Sequence, residues 1–189
     1  MLKQDLHIHT TYSSFDSAVV SEQTIEMVAF AKHAEIVGIS DHFEMFMPQR
    51  WEEYKNEVRK FGFRLGAEVN GHGSVDNALA FDFDYYVYHC WGHQSADYIG
   101  FEKLCSKGKP VIIAHPYATE TDLKKIPDGS IVELNNRYIW HYDWKKFLLP
   151  YIRKFRWVFS SDAHQPNWLN HVICRRVGEE LGIQETILF

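Results

Sequence analysis

A parallel α/β barrel is the fold that this sequence predicts. Seven strand-length apolar runs recur along its 189 residues, helical patterns separate them, and histidines or acids stand at the ends of six of the seven. The runs are 5–9 (DLHIH), 36–42 (IVGISDH), 65–69 (LGAEV), 85–89 (YYVYH), 111–115 (VIIAH), 131–135 (IVELN) and 158–162 (VFSSD). Most are rich in β-branched or aromatic residues, as strands are. Near-continuous apolar runs fit strands covered on both faces.

Between the runs, residues 21–34 read as a helix with Ser21 as N-cap and Ile25, Val28 and Ala29 on one face. Residues 51–61 place Tyr54, Val58 and Phe61 at helical spacing, and 96–107 is stopped by Gly108 and Pro110. A helix over 143–155 is kinked or ended by Pro150, and one over 167–181 closes at Gly182, a C′ glycine. The crossovers 70–81 and 118–129 carry weaker patterns. Parallel strands need such connections, so a closed or nearly closed barrel is the first expectation and an open doubly wound sheet the second.

Composition limits the function classes. Apolar residues at 46% and charged residues at 24% suit one ordinary globular domain spanning 1–189. The chain contains no apolar stretch long enough to span a bilayer, so no membrane role is expected. MLKQDLHIHT offers an acid and two histidines where a signal peptide needs an apolar run, which leads us to expect a cytoplasmic protein. Cys90, Cys105 and Cys174 are odd in number and form no CxxC pair, against a disulfide framework or a thiolate zinc site. A net charge of −5 without a basic stripe disfavours nucleic acid as a partner. Oligomeric state is not written in the sequence.

The chemistry lies in eleven histidines. His7 and His9 end the first run, Asp41 and His42 the second, Glu68 the third, His89 the fourth, His115 the fifth, and Asp162 with His164 the last. In β/α folds the C-terminal strand ends form the active-site rim, so residues far apart in sequence converge there. Side chains at i and i+2 of a strand share a face, which lets His7 and His9 grip one ion, and Asp162 and His164 repeat the spacing. Chance alone supplies roughly 0.6 HxH pairs at this composition, so that motif decides nothing by itself. Six histidines and three acids on one rim, however, make a costly buried cluster unless a cation joins them. Imidazole and carboxylate suit Zn²⁺, Mn²⁺ or Fe²⁺.

Several segments together resemble a known family, the PHP (polymerase and histidinol phosphatase) phosphoesterases. They are DLHIHTTYSSFDS at 5–17, GISDHFE at 38–44, GAEV at 66–69, IIAHP at 112–116 and SSDAH at 160–164. The resemblance implies a distorted seven-stranded (β/α)7, TIM-like barrel holding two or three divalent ions. It implies one ion on His7, His9, Glu68 and Asp162, a second sharing Glu68 with His89 and His115, and a third on His42, His164 and Asp16. Two departures stand out: YVYHCWGH leaves His89 or His93 as the fourth-strand ligand, and the 12–16 loop is slightly long for Asp16. The implied activity is hydrolysis of a small phosphorylated metabolite by an activated water, with Glu68, Asp162 and His164 at the chemistry and histidinol phosphate as one named substrate. A phosphodiesterase or a metal-stabilised binding module is the alternative. Asn135, Asn136, Arg137 and Arg50 are further candidates for substrate or ligand contacts, and 138–144 (YIWHYDW) either lines the mouth or packs. His33, His72, His141 and His171 stand apart from strand ends and take structural or surface roles by default.

Overall fold

The computed structural model describes residues 1–46 and 49–189. Its seven strands form one parallel sheet in sequence order, and no open doubly wound arrangement is present among the described residues. They are β1 (Leu2–Asp5), β2 (Ala34–Ile39), β3 (Arg64–Asn70), β4 (Tyr85–His89), β5 (Val111–Ile113), β6 (Ile131–Asn135) and β7 (Arg156–Ser160). The helices are α1 (Ile25–Ala31), α2 (Phe43–Phe46), α3 (Trp51–Lys60), α4 (Val75–Ala78), α5 (Ser95–Cys105), α6 (Trp144–Leu148) and α7 (Val172–Leu181). Beyond their strands, Ile8 bridges Ala163 and His9 N–H donates to the Ala163 carbonyl at 2.9 Å, so the sheet is a nearly closed barrel. Residues 184–189 cover the remaining seam. Thr186 N–H bonds the Trp157 carbonyl of β7, while Gln4 of β1 donates to the Thr186 carbonyl and accepts from Leu188 N–H.

Several boundaries move from the sequence expectation. Strand pairing stops at Asp5, Ile39, Ile113 and Ser160, so His7, His9, His42, His115 and Asp162 stand just past their strands, where the chain curls over the rim. Thr24, not Ser21, caps α1, accepting from Met27 N–H. Residues 11–23 ahead of that cap form a hydrogen-bonded loop. Pro150 sits in a 3-10 turn (Leu149–Tyr151) that ends the expected 143–155 helix after α6. A 3-10 turn at Pro166–Trp168 precedes α7, which starts at Val172 rather than 167 and does end at left-handed Gly182. The 70–81 crossover is two short helical turns, and 118–129 is irregular.

Strand parity sorts side chains into two layers. Tyr85, Val87, Ile112, Ile131 and Val158 point inward with Leu6 and Ala114, forming an apolar plug inside the barrel. Tyr86, Tyr88, Leu65, Ala67, Val69, Val132 and Leu134 point outward to the larger core under the helices. The inward positions one pleat higher are Glu68, His89, Glu133 and Ser160, so the same parity that builds the plug stacks a polar layer on it. Tyr85 seals the plug with its hydroxyl donating to the Leu6 carbonyl at 2.7 Å, and the ring occupies the space that a side chain at Gly38 or Gly66 would need.

A methyl group at Gly66 would overlap the buried Tyr85 ring, two residues from Glu68. Gly66→Ala is expected to destabilise the barrel by about 1–3 kcal/mol. A lower midpoint in urea unfolding checks this; an unmoved midpoint would show that the ring shifts freely.

Candidate metal centre

Glu68 ends the inward face of β3 and is 1% exposed, so its carboxylate has lost water on every side. Imidazoles take that place. Oε1 faces Nε2 of His7 at 3.1 Å, of His89 at 2.5 Å and of His115 at 3.5 Å. Oε2 faces His9 Nε2 at 3.3 Å and His42 Nδ1 at 3.0 Å. Asp162 Oδ1 approaches His7 and His9 at 3.7 and 3.6 Å, and Asp16 Oδ2 lies 2.9 Å from His164 Nε2 and 3.3 Å from His42 Nε2. The nine residues of the three implied ion sites are therefore brought to one place. His89 faces Glu68, whereas His93 is exposed and lies outside the cluster.

Four of the imidazoles share an orientation set by their outer partners, whereas His42 turns Nδ1 to Glu68 and Nε2 to Asp16. His7 Nδ1 donates to Glu133 at 2.9 Å, and His164 Nδ1 donates to the Asp162 carbonyl at 2.8 Å. Ser13 gives its hydroxyl proton to Asp41, so at 3.3 Å it accepts from His9 Nδ1. Asn70 Oδ1 accepts from Trp91 Nε1 and from His89 Nδ1. In each case Nδ1 faces an acceptor and Nε2 turns inward, which leaves Nε2 to ligate a metal once any proton on it is displaced. The inward nitrogens crowd one another, with Nε2 atoms 3.0 Å apart in both the His7–His9 and His89–His115 pairs. Buried Glu68 Oε1 has no hydrogen-bond donor. Four three-residue groups have ligand atoms close enough for one ion: His7/His9/Glu68, Glu68/His89/His115, His7/His115/Asp162 and His9/His42/His164. The residues present thus fit divalent cations.

Charge balance follows from burial and neighbours. Burial alone would raise Glu68, but His89, His7, His42 and His9 hold it well below the ordinary carboxylate range. Burial pulls His7 down, and Glu133, Asp162 and Glu68 outweigh it, so His7 sits well above an ordinary imidazole. His42 is likewise lifted to about 10 against its burial, by Glu68 and Asp16. His9 falls well below the usual value through burial and the neighbouring His164 and His42. Asp162 adopts a left-handed backbone (φ 53°), a conformation rare outside glycine that accumulates at functional positions.

The other candidates separate cleanly. Asn135 braces rather than reaches the cavity, donating to Glu133 and to Asp162 Oδ2 at 3.0 Å. Asn136 caps α7 through Ile173 and Cys174 N–H. Arg50 pairs with Glu53 on the surface, whereas Arg137 reaches 3.0 Å from His164 Nε2 and 3.7 Å from Asp162. Tyr138 and Tyr142 line the metal-rim cavity of about 380 Å³, and only part of 138–144 packs. His33 and His171 flank buried Asp5, His72 bonds Asp97, and His141 is exposed.

Sequence reasoning misses Glu133. It is fully buried and accepts from His7 Nδ1, His115 N–H, Asn135 Nδ2 and the Ser160 hydroxyl, which with burial opposing leaves its pKa at about 2. An acid at the inward parity of IVELN is the signal that could have found it.

A family model of the PHP domain matches residues 5–135, well over half of the chain. The chain belongs to the PHP domain family. Membership makes it a metal-dependent phosphoesterase hydrolase, in agreement with the ligand-type clusters on its rim. Among solved structures, this PHP domain is similar to a chain from "Crystal structures of YwqE from Bacillus subtilis and CpsB from Streptococcus pneumoniae, unique metal-dependent tyrosine phosphatases". The TM-score is 0.58 at 16% identity, covering 95% of this chain and 87% of that one, which shows a shared fold. No curated protein sequence matches the chain. Among the described residues no helix is long and apolar enough to cross a membrane.

All four partners of Glu133 are donors, so an amide in its place would turn an N–H toward one of them. Glu133→Gln is expected to weaken Mn²⁺ or Zn²⁺ binding about 10- to 100-fold with secondary structure intact. Calorimetric titration of the metal-free variant measures this; wild-type affinity would show that Glu133 does not orient His7.

Proposed function

We propose that this PHP domain is a phosphomonoesterase for a small phosphorylated metabolite, working with two or three divalent ions of the Zn, Mn or Fe type. The observation that carries this reading is the convergence of five imidazoles on the single buried carboxylate of Glu68. One ion would be held by His7, His9, Glu68 and Asp162, a second by Glu68, His89 and His115, and a third by His42, His164 and Asp16. Bound there, divalent ions supply Lewis acidity that lowers the pKa of a water and offsets phosphate charge.

The chain's own residues do the rest. Glu68 and Asp162 are the carboxylates at the reacting centre and set its net charge. Arg137, whose guanidinium lies over the rings of Tyr138 (5.0 Å) and Trp168 (5.4 Å), is held at the cavity wall and would pair with phosphate oxygens. His164 Nε2, beside Asp16, would serve the third ion, whose positive charge would offset that of the departing oxygen. Trp91, Tyr138 and Tyr142 line the mouth and would limit water around a bound substrate.

Metal-stripped protein should hydrolyse p-nitrophenyl phosphate only after Mn²⁺, Zn²⁺ or Fe²⁺ is restored, and Glu68→Ala should stay at background with every metal. Because His7 and His42 are held protonated at neutral pH in the metal-free chain, ion binding must displace protons. Titrations at pH 7 in buffers of different ionisation heat should show net proton release, with affinity weaker at pH 6 than at pH 8. Stoichiometric metal binding with no turnover on any phosphate ester would count against an enzyme. Arg137→Ala is expected to lower kcat/KM on the order of 100-fold with metal stoichiometry retained. An unchanged kcat/KM would remove Arg137 from phosphate binding.

A further inference from the structure

The mouth of the metal-rim cavity contains a loop residue fixed far more firmly than rim loops usually are. Trp91 follows β4 by two residues, and several backbone groups around it are tied down. The Cys90 carbonyl accepts the Thr121 hydroxyl at 2.6 Å, and Trp91 N–H donates to Asp97 at 2.9 Å. Gly92 N–H donates to the Thr119 carbonyl at 3.0 Å. Gly92 passes so near the Glu120 carbonyl that any Cβ would overlap it, and Glu120 takes a left-handed φ of 53° at that crossing. The indole is pinned as well, its Nε1 donating to Asn70 Oδ1 at 2.9 Å. Asp97 is fully buried and also accepts from both nitrogens of His72, backbone and ring, so one carboxylate joins the loops after β3 and β4.

This anchoring leaves the indole half-buried at the cavity wall, its ring centroid 5.7 Å from that of His89. Across the cavity stand Tyr138, 4.9 Å from the His115 ring, and Tyr142. Apart from the candidate ligands and Arg137, the described residues lining this space are those three aromatics with Ala118 and Thr119. Among the described lining residues no acid outside the candidate ligands meets an ammonium group, and no amide side chain is present. Aromatic faces offset-stack with flat rings, and a wall already held in place loses little entropy when one arrives.

Building on the phosphomonoesterase reading, we propose that Trp91 is the specificity-determining wall of the site, preorganised by Asp97, Asn70 and Gly92 to stack a planar aromatic leaving group, and that the substrate class is aryl or heteroaryl phosphate monoesters. Asn70 serves two ends at once, since the oxygen that fixes the indole also accepts from His89 Nδ1. The wall is thereby registered to the candidate metal ligands.

The test is calorimetric binding of phenylphosphonate and methylphosphonate to Mn²⁺-loaded protein, in the wild type, Trp91→Ala and Trp91→Leu. Neither probe can be hydrolysed, so affinity is read apart from turnover. The wild type is expected to prefer the phenyl compound by roughly tenfold, and both variants to lose most of that ratio. Trp91→Leu keeps apolar bulk without a π face and serves where the alanine variant folds poorly. Equal affinities in the wild type, or a ratio that survives both substitutions, would overturn the role of Trp91. Failure of Mn²⁺-loaded wild type to bind either phosphonate would instead overturn the phosphoesterase reading beneath it.

Discussion

A carboxylate stripped of water is the constraint on which this molecule is organised. Burying an ionised acid is prohibitively costly unless opposite charge or many donors replace the lost solvent. Glu68 has no hydrogen-bond donor on Oε1 and is instead ringed by imidazole nitrogens from the ends of β1, β2, β4 and β5. Those rings cannot compensate it as neutral groups with inward lone pairs. They do so by taking up protons or by sharing a cation, and the distances suit either state. That exchange makes the rim a place where ions enter at the expense of protons.

A second set of buried polar groups holds the ring of ligands in register. Glu133 orients His7 and the backbone of His115, Asp41 gathers Thr10 and Ser13 beneath His9, and Asn135 ties Glu133 to Asp162. Each carboxylate accepts several donors from different elements, so a change at one is felt by strands that are distant in sequence. The apolar plug of Tyr85, Val87, Ile112 and Val158 seals the barrel from below, which keeps this polar layer facing the cavity alone.

Most of the barrel was legible in the sequence because β/α units announce themselves by alternating periods, and because His and acid residues are rare enough at strand ends to be noticed. His7, His9, Glu68, His89, His115 and Asp162 needed only that logic. Strand limits were less legible, since apolar character continues past the last ladder bond into the rim loops, as it does at Ile8. The cap of α1 comes after the hydrogen-bonded 11–23 loop, whose extent local pattern does not record. Glu133 was hidden among β-formers, Asn70 by its modest chemistry, and the Trp91 loop because much of its rigidity comes from Thr119 and Thr121, contacts that no local window joins.

The candidate ligands run from His7 to His164, and the seam beside β1 is covered by residues 184–189. A nascent chain therefore lacks the full coordinating set until residue 164 has been made. Long sequence separations of this kind slow folding, because loop closure precedes any reward from the contacts it creates. The groups His7/His9/Glu68 and Glu68/His89/His115 are complete in sequence earlier, by residues 68 and 115. A copy that stopped short of residue 162 would lack Asp162 and His164 and could not assemble the whole set.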